Sequence, residues 1–290
     1  VERHTETLRL KLALAISCVY FFAELIGGFL TNSLALLSDA GHMLSDIAAL
    51  ALSLFAFRIA KRPATVSSTY GYHRVEILAA LLNGLTLWLI VGVIFAAAYN
   101  RFLDPPAVES YGMMIVALLG LLVNIVAAGI LYGSHHHNLN LRGAFLHIVS
   151  DALGSVGAIA ASLIMLFTGW YVADPLISIL IGLLILHSSW NLIKESFSVL
   201  MQAVPKGIRL EDVQQALEGV EGVSKVHDLH VWAVTSDIFT LSAHAVVENG
   251  GDFHQVLNGI EDTLKERFNI EHTTIQLETE SREEKEFKAF

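Results

Sequence analysis

Six stretches of the chain are almost continuously apolar: residues 12–31, 34–57, 77–99, 111–132, 144–168 and 175–193. A bilayer core is crossed by about 20 mostly apolar residues in a helix. A spanning segment must also satisfy its own backbone N–H and C=O groups. The pattern, repeated six times, predicts six transmembrane helices. The breaks carry turn and polar residues: Thr31-Asn32-Ser33, Lys61-Arg62-Pro63, Asp104-Pro105-Pro106, His135-His136-His137-Asn138 and Asp174-Pro175. Past Pro205 the pattern changes. Leu210 to Val220 reads as an amphipathic helix, and Val223 to Thr235 and Ile238 to Val247 as strands rich in Val, Ile and Thr. Asp252 to Phe268 reads as a helix with Asp252 as its N-cap, and His272 to Thr279 as a last strand. Residues 1–204 are therefore expected to form a membrane domain and residues 205–290 a small α+β domain of order αββαβ.

Composition supports this division. Of 290 residues, 54% are hydrophobic and 16% charged, against roughly 25% charged in an average soluble domain. The formal charge of −10 disfavours nucleic acid as a partner, and the single Cys18 excludes an intrachain disulfide or a cysteine-built zinc site. Residues 1–204 hold ten Lys and Arg against eleven Asp and Glu, whereas residues 205–290 hold eight against seventeen. Eleven basic residues flank the spans at the N-terminus, in the second and fourth loops and after the sixth span, and only Arg101 lies in the alternate loops. By the positive-inside rule both termini and the acidic domain are expected in the cytoplasm. The chain begins on Val1 rather than Met, which leaves its native start open.

Ionisable residues inside apolar spans are costly and mark function or pairing. The second span carries Asp39, His42 and Asp46, and the fifth carries His147 and Asp151. Both spans show His-x-x-x-Asp, which sets the two side chains one turn apart on one helix face. Two such faces turned together present two imidazoles and two carboxylates, a tetrahedral set suited to zinc. Asp39, one turn before His42, either lines the pathway or caps the start of its helix. Glu24, Asn83 and Asn124 read as polar packing at membrane depth. Gly143, Ala144, Gly154, Ser155 and Gly157 let the fifth helix approach the second closely.

These residues resemble the cation diffusion facilitator family of metal exporters. Ser33 to Asp46 looks like its second-helix signature, Tyr70-Gly71-Tyr72-His73-Arg74-Val75-Glu76 like the opening of its third helix, His147 to Asp151 like its fifth-helix motif, and Asp174-Pro175 like the start of its sixth. The likeness covers nearly the whole chain and is nearest the bacterial zinc, cobalt and cadmium resistance subgroup. It implies a homodimeric, proton-coupled zinc exporter of the inner membrane, with Zn²⁺ as cargo and as a regulatory ligand. It also implies a ferredoxin-like cytoplasmic domain that dimerises.

Histidines outside the spans divide into a loop run and a cytoplasmic set. His135, His136 and His137 read as a weak collection site on the cytoplasmic side. His227 and His230 are three apart, so on a regular strand they face opposite sides, and His230 reads as packing with Trp232. The resemblance implies cytoplasmic zinc ligands at His227, His244 and Glu278, with His254 as a further position. Gln276 stands where some relatives carry another His.

Together these readings predict Zn²⁺/H⁺ antiport by alternating access, with cadmium and cobalt as further cargo, protons as counter-ion and membrane lipid as surroundings. A passive metal channel or a zinc sensor is the alternative, distinguished by indifference to a pH gradient. A membrane zinc hydrolase would need an open coordination position and a general base. The chain has no His-Glu-x-x-His, and its paired motif already fills four positions.

Overall fold

A computed structural model describes residues 2–132, 139–235, 238–248 and 251–279; side chains are described from residue 15 onward, and not at 131, 132, 139–144, 146 or 147. Six long helices come first: α1 (Glu2–Thr31), α2 (Leu34–Ala60), α3 (Arg74–Leu103), α4 (Ser110–Tyr132), α5 (Leu139–Thr168) and α6 (Ala173–Leu200). They are followed by α7 (Leu210–Glu218), β1 (Val223–Thr235), β2 (Ile238–Val247), α8 (Phe253–Phe268) and β3 (His272–Glu278). Helices α2 to α6 each hold a stretch long and apolar enough to cross a membrane, and the described part of α1 adds a shorter apolar segment, Ala15–Thr31. Many large apolar side chains on these helices face outward, including Phe29, Leu54, Leu89, Val93 and Phe167. That surface suits hydrocarbon rather than water.

The chain forms two compact units: residues 1–51 with 83–191, and residues 52–82 with 192–290. In the first, small and apolar side chains from five helices make the core. Ala35 and Leu36 of α2, Leu87 and Val91 of α3, Met113 and Ala117 of α4, Ala158 and Ala161 of α5, and Ile181 and Ile185 of α6 are all buried. Alanines at these contacts let helix backbones come close where no hydrophobic drive separates protein from lipid.

The start of α2 is fixed from a distance. Ser33 caps it, its hydroxyl accepting from the Leu36 N–H at 3.2 Å. The Asp174 carboxylate at the start of α6 accepts from the Ser33 hydroxyl (2.7 Å), the Leu34 N–H (2.8 Å) and the Ala35 N–H (3.1 Å). Arg101 at the end of α3 donates to Asp174 at 3.3 Å and to the carbonyl of Asn32 at 2.6 Å. Asn32 takes the left-handed conformation (φ 55°) that turns α1 into α2. One fully buried carboxylate thus supplies the acceptors that the first turn of α2 lacks.

The second unit contains the small domain. Its sheet has order β1-β2-β3, with β1 antiparallel and β3 parallel to β2. Val213 and Leu217 of α7 and Val256, Ile260 and Leu264 of α8 are buried against Val226, Val231, Leu241, Ala243 and Ala245 of the sheet. Asp252 caps α8, accepting from the N–H groups of His254 and Gln255, as its position predicts. The order αββαβ is that of a ferredoxin-like βαββαβ fold without its first strand.

Removing the Asp174 carboxylate leaves Arg101 and the N–H groups of α2 without their acceptor. Breaking a buried ion pair from one side typically costs about 3–5 kcal/mol. Asp174→Ala is therefore expected to lower the thermal transition of the detergent-solubilised protein far more than Glu109→Ala, an exposed change at the start of α4. Equal transitions would remove Asp174 from this role.

Candidate metal centres

Two constellations hold the residues singled out in the sequence. The first lies in the helical unit. On α2, His42 Nε2 is 3.7 Å from Asp46 Oδ2, so the i,i+4 pair does meet on one face. Both are partly enclosed, at 16% and 34% side-chain exposure. On α5, Asp151 is buried. The side chain of His147 lies outside the described residues, and only its place on α5 is known. His135, His136 and His137 also lie outside the described residues.

The contact between α2 and α5 sets the level of these groups. A Cβ at position 154 would sit 3.5 Å from both carboxylate oxygens of Asp39, so Asp39 packs on the bare backbone of Gly154. The two helices run in opposite directions, being three steps apart in a chain of up-and-down helices joined by short connections. From this contact, three residues along α2 reach His42 and three back along α5 reach Asp151, about 4.5 Å in each case. Seven residues reach Asp46 and His147, about 10 Å in each case. His42 therefore stands level with Asp151, and Asp46 level with His147. Asp39 does not cap α2, since that place belongs to Ser33 and Asp174. Ser45 donates to Asn83 Oδ1 of α3 at 3.3 Å, which gives Asn83 the packing role expected of it.

The second constellation lies on the small sheet. One ligand atom each from His227, His244 and Glu278 lie within 4.8 Å of one another. His227 Nε2 is 3.3 Å from Glu278 Oε2, and His244 Nδ1 is 3.5 Å from Glu278 Oε1. His227 and His244 are directly paired across β1 and β2, their rings edge to face with centroids 5.2 Å apart. His227 and Glu278 are buried, and His244 is about a quarter exposed. Two imidazoles and a carboxylate around one point form three-quarters of a zinc site. The Gln276 amide donates to Glu278 Oε1 at 2.6 Å, so this residue orients Glu278 within the cluster.

Two expectations for this domain change. His254 is exposed at the start of α8 and is not among the clustered residues. His227 and His230 do not face opposite sides. β1 is bulged between them: His227 pairs with His244 and His230 with Ser242, three residues against two. The bulge is centred on Asp228, held at φ 48°, and it restores both histidines to one face. Asp228 was missed from the sequence. Its Oδ1 is 2.9 Å from His230 Nε2 and its Oδ2 is 3.8 Å from His244 Nε2. His272 is remote from the cluster, pairing with Thr240 and setting its ring edge-on to Tyr70 at 5.6 Å.

In a chain whose membrane quartet has been replaced, zinc titration is expected to follow this cluster. His227→Ala should abolish the remaining tight binding and His254→Ala should leave it intact. Gln276→Leu, which removes only the orienting donor, should weaken it by about tenfold. Equal losses from His254→Ala and His227→Ala would place the ion elsewhere.

Residues 10–201 match the family described as the cation efflux transmembrane domain, and residues 205–280 the cytoplasmic domain of cation efflux proteins. The cadmium, cobalt and zinc/H(+)-K(+) antiporter of Bacillus subtilis (strain 168) is 47% identical over 267 residues, covering 90% of this chain and 86% of its own. The zinc transporter ZitB of Escherichia coli (strain K12) is 42% identical over 273 residues, covering 93% and 87%. The solved metal-bound C-terminal domain of the CzcD transporter is 35% identical over 24% of this chain and 99% of that domain, with a TM-score of 0.24. With both of its parts matched and with relatives at this identity over nearly its whole length, the chain belongs to the cation efflux family of membrane metal transporters.

Proposed function

We propose that this protein exports Zn²⁺ from the bacterial cytoplasm in exchange for protons, with cadmium and cobalt as further cargo. The observation that carries the reading is the packing of Asp39 on Gly154 between α2 and α5, from which helix geometry supports a common level for His42 with Asp151 and for Asp46 with His147. A common level supports a site of two imidazoles and two carboxylates at membrane depth. His42 and His147 bind metal only when neutral, so protons compete for the same nitrogens. Asp46 and Asp151 offset the charge of the ion. Four protein ligands hold zinc tightly, and release on the far side follows from protonation together with a change in helix packing.

The relatives' names support the cargo: one is an antiporter of cadmium, cobalt and zinc, another a zinc transporter. Residues 1–204 form the transporting part and residues 205–290 a cytoplasmic, dimerising part whose His227, His244 and Glu278 respond to metal. The excess of basic residues in alternate loops supports both termini in the cytoplasm of an inner-membrane homodimer.

Inverted membrane vesicles with an imposed pH gradient test this reading. The wild-type chain should accumulate zinc under the gradient, while His42→Ala and Asp151→Ala should abolish accumulation. Uptake that ignores the gradient would make the protein a passive pathway, and uptake that survives both substitutions would displace the site. Zinc affinity should also fall as the medium is made more acidic, because protons and zinc compete for the same nitrogens.

A further inference from the structure

The metal quartet leaves a second group of buried acids without a task. Glu24 on α1 is 1% exposed and Asp39 on α2 is 5% exposed. Tyr20, one turn before Glu24, donates from its hydroxyl to Glu24 Oε1 at 3.1 Å, with the carbonyl of Val116 on α4 also 3.3 Å from that hydroxyl. The hydroxyl fits there because residue 120 is glycine, and any Cβ at that position would collide with it. The other oxygen of Glu24, Oε2, is buried and meets no donor among the described residues. The Asp39 carboxyl group lies within hydrogen-bonding reach of the Glu24 carboxyl group.

The surroundings make this pairing consequential. Phe21, Leu25, Ala40, Met43 and Val123 wall the site with apolar surface. The groups acting on Glu24 are Tyr20 of its own helix, Asp39 of α2 and Asp151 of α5, with no Lys or Arg among the described residues that do so. α4 contributes a carbonyl acceptor and Gly120. Two carboxylates cannot both stay ionised side by side in such a medium without a cation. A single proton held between them removes one charge and gives Glu24 Oε2 its missing donor.

We propose that Glu24 and Asp39 form a proton-binding site, separate from the metal ligands, that carries a proton coupled to zinc export. Loading forms one O–H bond on a carboxylate oxygen, and unloading breaks it. The position suits the role. Asp39 lies one turn nearer the α1–α2 turn than His42, about 4.5 Å along the helix. A proton entering from that end therefore meets the acid pair before the metal ligands. Asp39 also touches α5 at Gly154, so its charge state bears directly on the helix contact that levels the quartet.

This inference rests on the antiport reading, and reconstituted full-length protein separates the two. Net zinc uptake by the wild type that ignores a pH gradient defeats antiport itself. Given wild-type coupling, Glu24→Gln should exchange internal for external zinc at the wild-type rate, because exchange needs no net protonation. Its net uptake, and that of Asp39→Asn, should respond less steeply to the gradient than the wild type's. Variants that keep the wild-type pH response overturn the proposal. So does a folded Glu24→Gln protein that loses exchange and zinc binding together, which would make the pair a support for the metal site. If neither variant folds, Tyr20→Phe decides, since it keeps both carboxyls and removes only the donor. It should shift the pH profile of net uptake without changing exchange, and an unchanged profile counts against the site.

Discussion

Hydrocarbon offers no hydrogen bonds, so every polar atom carried into it must be answered from within the protein. The membrane half follows from this constraint. Its backbone is spent on long helices, and the few polar side chains at depth come in matched sets: Ser45 with Asn83, Tyr20 with Glu24, and Asp174 with Arg101 and the first turn of α2. The acids beside the α2–α5 contact are tolerated only where each has an answer. In the proposed transport cycle a metal ion supplies it for the His and Asp pairs, and a proton for Glu24 and Asp39. Structure and transport chemistry are then two aspects of the same requirement.

Long-period features of the architecture were legible in the sequence. Each of the six apolar stretches lies within one helix, and the strands and helices past Pro205 fall where alternation and the Asp252 cap put them. Repetition explains this: many residues vote for a helix or a strand, and no single one decides. The His-x-x-x-Asp repeat was equally readable, because i,i+4 geometry is local to a helix. As one proposed site the two repeats depend on Gly154, where a missing side chain is the signal.

Features that rest on one residue or on remote pairing were not legible. The bulge at Asp228 turns an odd spacing into a shared face, and a parity count along β1 cannot anticipate an extra residue. Gln276 looked like a lost ligand until its amide was found on Glu278. His254 carried the expectation of a ligand through resemblance alone, and its place on α8 keeps it apart from the sheet cluster. Glu24 and Asn83 looked alike as isolated polar residues. Only the fold shows that Asn83 has a hydroxyl partner while Glu24 is met by another acid.

The carboxylate that completes the start of α2 also has a bearing on biosynthesis. Asp174 lies 140 residues after Leu34, so the ribosome has made α2, α3, α4 and α5 before the acceptor for that first turn exists. A nascent chain halted before the sixth helix holds all four quartet residues yet has an unfinished α2, its leading N–H groups and Arg101 lacking the partner they have in the finished protein. Insertion of the last helix is thus the step that closes the bundle.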